Sequence, residues 1–81
     1  MEERLSVLSI IVEDKTKAPI INELLSNFSN YIIGRMGLPN TPKNVAVIVI
    51  VINAPMDEIN KLTGKISQIN GVSAKALTTK N

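Results

Sequence analysis

Two hydrophobic periods succeed one another along the chain, and each change of period marks a new element. Residues 5 to 12, LSVLSIIV, read as a strand with Leu8, Ile10 and Val12 on one face and Leu5, Val7 and Ile11 on the other; Ser6 and Ser9 are its only polar members. The segment EDKTKAP that follows reads as a helix approach. Thr16 is the N-cap candidate, and Pro19 falls within the first turn, where an absent amide does no harm. Ile21, Leu24, Leu25 and Phe28 then repeat at helical spacing and form one apolar stripe. A shorter strand follows from Tyr31 to Leu38, weakened by Gly34 and Gly37 and closed by the turn residues Pro39, Asn40, Thr41 and Pro42. Between Asn44 and Asn53 lie eight consecutive apolar residues, seven of them β-branched, which read as a strand. Pro55 suits a first helical position, Asp57 and Glu58 suit the first turn, and Ile59, Leu62, Ile66 and Ile69 supply a second stripe. Gly71 reads as the residue just past that helix. The last strand, Val72 to Thr78, sets Val72, Ala74 and Ala76 against Ser73, Lys75 and Leu77.

The order β-α-β-β-α-β is the split βαβ, or ferredoxin-like, plan, an α+β fold. It predicts one domain over residues 1–81, with a four-stranded antiparallel sheet and both helices on one face. Right-handed crossovers place the first and third strands at the centre. These are the two strands that are apolar on both faces, so pattern and topology agree. Two helices can cover only one face, so Ile48 and Ile50, or else Val47 and Val49, stand at the centre of an uncovered one. About five or six large aliphatic side chains, at roughly 1.5–3 kcal/mol each, leave on the order of 10 kcal/mol of burial unrealised in a monomer. That rivals the whole stability of a small domain. Sheet-on-sheet packing between copies of the chain is the expected remedy, as a dimer or a tetramer.

Composition narrows the chemistry. The 81 residues carry 44% hydrophobic but only 2% aromatic side chains, Phe28 and Tyr31, so Ile, Val and Leu must build the core. There is no cysteine and no histidine, which removes disulfides, thiolate nucleophiles and the commonest metal ligands. No metal and no cofactor are expected. The opening MEERLSVLSIIVED is acidic and interrupted by serines, unlike a signal peptide, and the longest apolar run has eight residues against roughly 20 for a membrane span. The expected location is the cytoplasm, away from a membrane. A net charge of +2 does not demand nucleic acid, although Lys61, Lys65, Lys75 and Lys80 face no acid after Ile59.

Candidate chemistry is sparse. Central strands without aromatics lack the stacking platforms of RNA-binding sheets, and the first loop holds neither a cysteine pair nor a phosphate-cradling glycine loop. Glu13 with Asp14 makes a weak metal pair. An enzyme is not expected. Gly64 within the second helix costs about 1 kcal/mol against Ala, which suggests a close approach by another backbone or a ligand, with Lys65 and Gln68 on a shared face. Arg35, between Gly34 and Gly37, can present a forked donor to a carboxylate or phosphate. The bland reading of each is a solvated surface group.

The pattern NELLSNFSNYIIGRMGLP, the apolar third strand and LTGKISQINGVSAKAL together resemble the small proteins named as regulators of the iron-only hydrogenase system. That family is similar to ACT domains and to the effector domain of the nickel-responsive repressor. The resemblance implies an ACT-like sheet, homo-oligomers and a regulatory or accessory role beside hydrogenase maturation proteins. As in ACT-like domains, it implies a ligand near the first strand-to-helix loop, here Glu13 to Ala18, which makes Asp14 and Lys15 ligand candidates beside the free amides of the helix start. Nickel binding is not implied, because histidine and cysteine are absent; nor is direct DNA binding, because no room for a DNA-binding segment precedes Leu5. Two readings therefore stand side by side. One is an effector-binding regulatory module for an unknown small ligand. The other is a protein-interaction module that docks on a hydrogenase or maturation protein without any ligand.

Overall fold

In the computed structural model, which describes residues 2–80, the chain forms β1 (Glu3–Val12), α1 (Ala18–Asn27), β2 (Ile32–Leu38), β3 (Ala46–Pro55), α2 (Met56–Ser67) and β4 (Val72–Thr78). The sheet order is β2-β3-β1-β4, with every neighbouring pair antiparallel. The βαββαβ plan and the central place of β1 and β3 are as the hydrophobic pattern predicts. β1 pairs with β3 over their whole length, from Glu3 opposite Pro55 to Val12 opposite Ala46. Directly opposed residues share a face, so Leu8, Ile10 and Val12 stand with Ile50, Ile48 and Ala46 under the helices. Ile21, Leu25 and Phe28 from the first stripe and Ile59, Leu62 and Ile66 from the second close that core. One polar residue of β1 lies in it as well. Ser6, 1% exposed, donates to the Leu77 carbonyl at 3.2 Å and shares a 3.0 Å hydrogen bond with the Thr78 hydroxyl.

The register settles which side of β3 is covered. Ile50 is 0% exposed and Ile48 packs partly buried against the same core, so neither stands on the open face. Val47 and Val49 do, opposite Ile11 and Ser9 of β1. The alternation puts the bulkier Ile toward the helices and the slimmer Val away from them.

Several element ends differ from the predicted ones. Thr16 does not cap α1. Asp14 caps a short 3-10 turn at Lys15–Lys17 instead, and α1 begins behind it at Ala18, with Pro19 in its first turn. Asn44 adopts φ 60°, a left-handed conformation that Asn tolerates but a strand does not, so β3 starts at Ala46. Pro55 ends β3 and lies just outside α2 at φ −57° and ψ 146°; its ladder position opposite Glu3 keeps it extended. α2 stops at Ser67, so Gly71 belongs to the turn into β4 rather than to the helix end. There its φ is 80°, and a Cβ would come within 2.7 Å of the Asp14 Cβ. Its carbonyl accepts from the amides of Glu13 at 2.7 Å and Asp14 at 3.1 Å. Gly71 thus pins the exit of β1 against the loop after α2.

Candidate functional site

The face of the sheet opposite the helices carries three cross-strand rows. Leu77, Val7, Val51 and Gly34 form the first; Lys75, Ser9, Val49 and Met36 the second; Ser73, Ile11, Val47 and Leu38 the third. Lys75 is the one charged side chain in these rows. Eight large hydrophobics are exposed among the described residues, and six of them (Leu5, Val7, Ile11, Met36, Leu38 and Leu77) lie on this face. Only Ile20 on α1 and Ile33 at a bulge in β2 lie elsewhere. A shallow depression of about 340 Å³ between β1 and β4, bordered by Ser9, Ile11, Ser73 and Lys75, opens on this face with an almost wholly apolar lining.

A second feature lies on the helix side, at the β2 edge. Ala18 and Asn22 of α1, Arg35 and Gly37 of β2, and Ala46 and Ile48 of β3 enclose a groove of about 240 Å³. Arg35 reaches it because β2 has an irregular register between Ile32 and Gly34. That bulge brings Arg35 opposite Ile50, onto the helix side of the sheet, where its Nη2 donates to Asn22 Oδ1 at 2.6 Å. Pro39 stands at one end of the groove. Beside it Lys15 crosses from the loop after β1 to the turn after β2, donating to Asn40 Oδ1 at 2.6 Å and Asn44 Oδ1 at 3.4 Å.

The predicted ligand residues therefore separate. Asp14 accepts from the Thr16 hydroxyl at 2.6 Å and the Thr16 amide at 3.0 Å. Those bonds, the hydroxyl's first, hold its carboxyl below the ordinary value, with a smaller contribution from Lys17. The amides of Lys17 and Ala18 already bind Asp14 and Lys15 carbonyls, and Pro19 has none, so these three positions offer a ligand no free amide. Gly64, Lys65 and Gln68 lie exposed on α2, and nothing in the chain comes within 4 Å of a Cβ at position 64. The structure places Arg35 in the groove, ties Lys15 to the turn after β2, and leaves Gly64, Lys65 and Gln68 apart.

Asn22 and Gly37 were not legible as site residues. Asn22 lies one step off the apolar stripe of α1, and the bulge in β2 defeats strict alternation around Gly37. The lysines of the C-terminal third do not gather either. Lys61 pairs with Glu58 at 2.9 Å on α2, a contact that raises its pKa, while Lys75 stands on the opposite side of the sheet. Among the described residues no group of three or more His, Cys, Asp or Glu is placed to hold a metal ion. No helix among them is long and apolar enough to cross a membrane.

A four-stranded β2-β3-β1-β4 sheet with two helices on one side is the architecture of ACT-like domains. The ACT domain from GTP pyrophosphokinase of Chlorobium tepidum superposes with TM-score 0.71 at 20% identity, over 100% of this chain and 91% of that one. CPII from Thiomonas intermedia K12, a nitrogen regulatory PII-like protein solved with ADP, AMP and bicarbonate, gives TM-score 0.55 at 16% identity, over 98% of this chain and 99% of that one. At such identities the likeness is one of fold. The chain itself belongs to the TM1266-like family, whose model, described as "Iron-only hydrogenase system regulator, putative", matches residues 4–76. The uncharacterized protein TM1266 from Thermotoga maritima is similar at 44% identity and TM-score 0.89, over 98% of this chain and 100% of that one. No curated protein matches the sequence.

Proposed function

We propose that this chain is a homo-oligomeric regulatory module of an iron-only hydrogenase system, acting through a small effector and not as an enzyme. The observation that carries the reading is the open sheet face. Four strands spaced about 4.8 Å apart and some seven residues long present a footprint of about 19 by 24 Å. An apolar surface above about 400 Å² is seldom exposed on a soluble protein without a binding role. A second copy offers a face of the same chemistry, and two such faces pack about 10 Å apart with their side chains interleaved. Lys75, at the β4 edge, can keep its ammonium in water at the rim while its stem covers apolar surface. The family's description supports the regulatory role. The nucleotides and bicarbonate held by the PII-like CPII support an effector, since that domain shares the fold.

Light scattering on the purified chain at micromolar concentration is the first test. A mass of two or four times 8.8 kDa is expected; a monomer with a cooperative melt refutes the assembly. A thermal-shift screen of amino acids, small carboxylates and nucleotides is the second. At a hundredfold excess over its dissociation constant, a true effector stabilises by about 2.7 kcal/mol. Retention of a hydrogenase maturation protein with no ligand-dependent shift would replace the effector reading with docking alone.

A further inference from the structure

We infer that the groove between α1 and the β2 edge binds a small aliphatic carboxylate, with Arg35 as its receptor. The inference rests on the effector reading above and names the ligand class for it. Three observations lead there.

The first is the polarity of the groove. Arg35 Nη2 donates to Asn22 Oδ1, which uses the acceptor end of that amide and leaves its NH₂ free to donate. A guanidinium has five N–H donors and no acceptor, so the pair offers a ligand several hydrogens against one remaining lone pair on Asn22 Oδ1. The one ion pair among the described residues is Lys61 with Glu58 on α2, so Arg35 has no carboxylate of its own. Lys15 and Lys17 flank the same end of α1, and the Asp14 carboxylate beside them is held by Thr16. An anion fits this end, and a cation does not.

The second is size. Ligand sites for drug-sized molecules run from about 300 to 1,000 Å³. At about 240 Å³, walled by Ala18, Ala46 and Ile48, the groove suits a short aliphatic body and excludes a nucleotide.

The third is Gly37. It stands opposite Ile48 on the helix side of the sheet, where other strand positions send side chains inward. Its backbone does not have the positive φ that would call for glycine, and an added Cβ would meet only the Val47 carbonyl oxygen, at 3.9 Å. Neither conformation nor crowding requires glycine there. What its missing side chain provides is the space of the groove.

The test is an amide chemical-shift titration of the intact chain with isovalerate, with isovaleramide as the uncharged match, and with inorganic phosphate. Saturable shifts at residues 18, 20–22, 35–38 and 46–48 are expected with isovalerate, and binding of isovaleramide at least about tenfold weaker, because a charge-assisted hydrogen bond is lost. Arg35→Gln should weaken isovalerate by about the same factor. Gly37→Val should abolish binding while leaving the melt unchanged. Absence of saturation, equal binding of acid and amide, shifts centred on other residues, or response to phosphate alone each overturn the assignment. Molecular mass is recorded on the same samples. Oligomers that do not bind isovalerate refute the groove assignment only, and a monomer that binds it at the groove upholds the site and removes the oligomeric reading.

Discussion

Val49→Asp should separate assembly from folding. Val49 stands in the middle row of the open face, between Ser9 of β1 and Met36 of β2, and is half-buried in the single chain. In a monomer the new carboxylate reaches water, and folding loses only the partial burial of one Val, about 1 kcal/mol. In a face-to-face dimer each copy loses the rest of that burial, about 1 kcal/mol. Each must also dehydrate a carboxylate among aliphatic side chains, at several kcal/mol. Two-fold symmetry doubles the loss to on the order of 8 kcal/mol, which raises the dissociation constant by about 10⁶.

Ile50→Asp, one residue along, is the matched control. Ile50 is 0% exposed beneath the helices. Its loss together with an unpaired buried carboxylate costs about as much as the 5–15 kcal/mol that holds a small domain together. Light scattering and urea melts on the two variants should therefore diverge. Val49→Asp should give a folded 8.8 kDa species, and Ile50→Asp should give no cooperative transition. A Val49→Asp chain that keeps the wild-type oligomeric mass at about 10 μM refutes the argument, given the size of the expected shift. So does an Ile50→Asp chain that folds.

Gly71→Ala should cost about 2–4 kcal/mol in urea, from the left-handed φ and the collision with Asp14, and unchanged stability would contradict the close approach at that turn. Ser6→Ala should cost about 1 kcal/mol by leaving Thr78 without its buried partner, whereas Ser6→Ala with Thr78→Val should come back near wild type; additive losses in that cycle would refute the pairing. Asp14 has a folded pKa below the ordinary 3.8, so the stability it adds is fully present above that value and fades as pH falls through the lower folded one. Asp14→Asn keeps a capping oxygen but should flatten this acid limb in melts taken between about pH 5 and 2.

The architecture was legible because the two periods are clean. Ile21, Leu25 and Phe28, and then Ile59, Leu62 and Ile66, are stripes at helical spacing, and all six are buried. The facing of β3 was less legible, because Val and Ile alternate there with nearly equal hydrophobicity. Two signals did distinguish its faces. The larger residue, Ile, holds the even positions from 48 to 52, and the polar Asn53 shares its parity with Val47, Val49 and Val51. The element ends shifted where a single side chain or dihedral decides, as with the Asp14 cap and the left-handed Asn44. The groove was the least legible part. Arg35 joins Asn22 only because one extra residue in β2 reverses the parity of everything after it, and a bulge leaves no mark in the hydrophobic pattern.

A regulator built on this fold needs its ligand site and its assembly surface to move together, and β3 supplies the connection. Ala46 and Ile48 wall the groove; Val47, Val49 and their row partners stand on the open face. Adjacent residues of one strand cannot shift independently, so a displacement of this segment on one side is expressed on the other. The neighbouring β2 is the compliant part. It has a single strand partner, two glycines and a bulge, whereas β1 is held on both sides along most of its length. Coupling between two sites is reciprocal and typically amounts to about 1–3 kcal/mol. A carboxylate that draws Arg35 and β2 toward α1 would therefore alter self-association by the same factor by which self-association alters carboxylate affinity. The glycines and the bulge in β2, which look like weaknesses of an edge strand, would then be what lets the two faces of the sheet communicate.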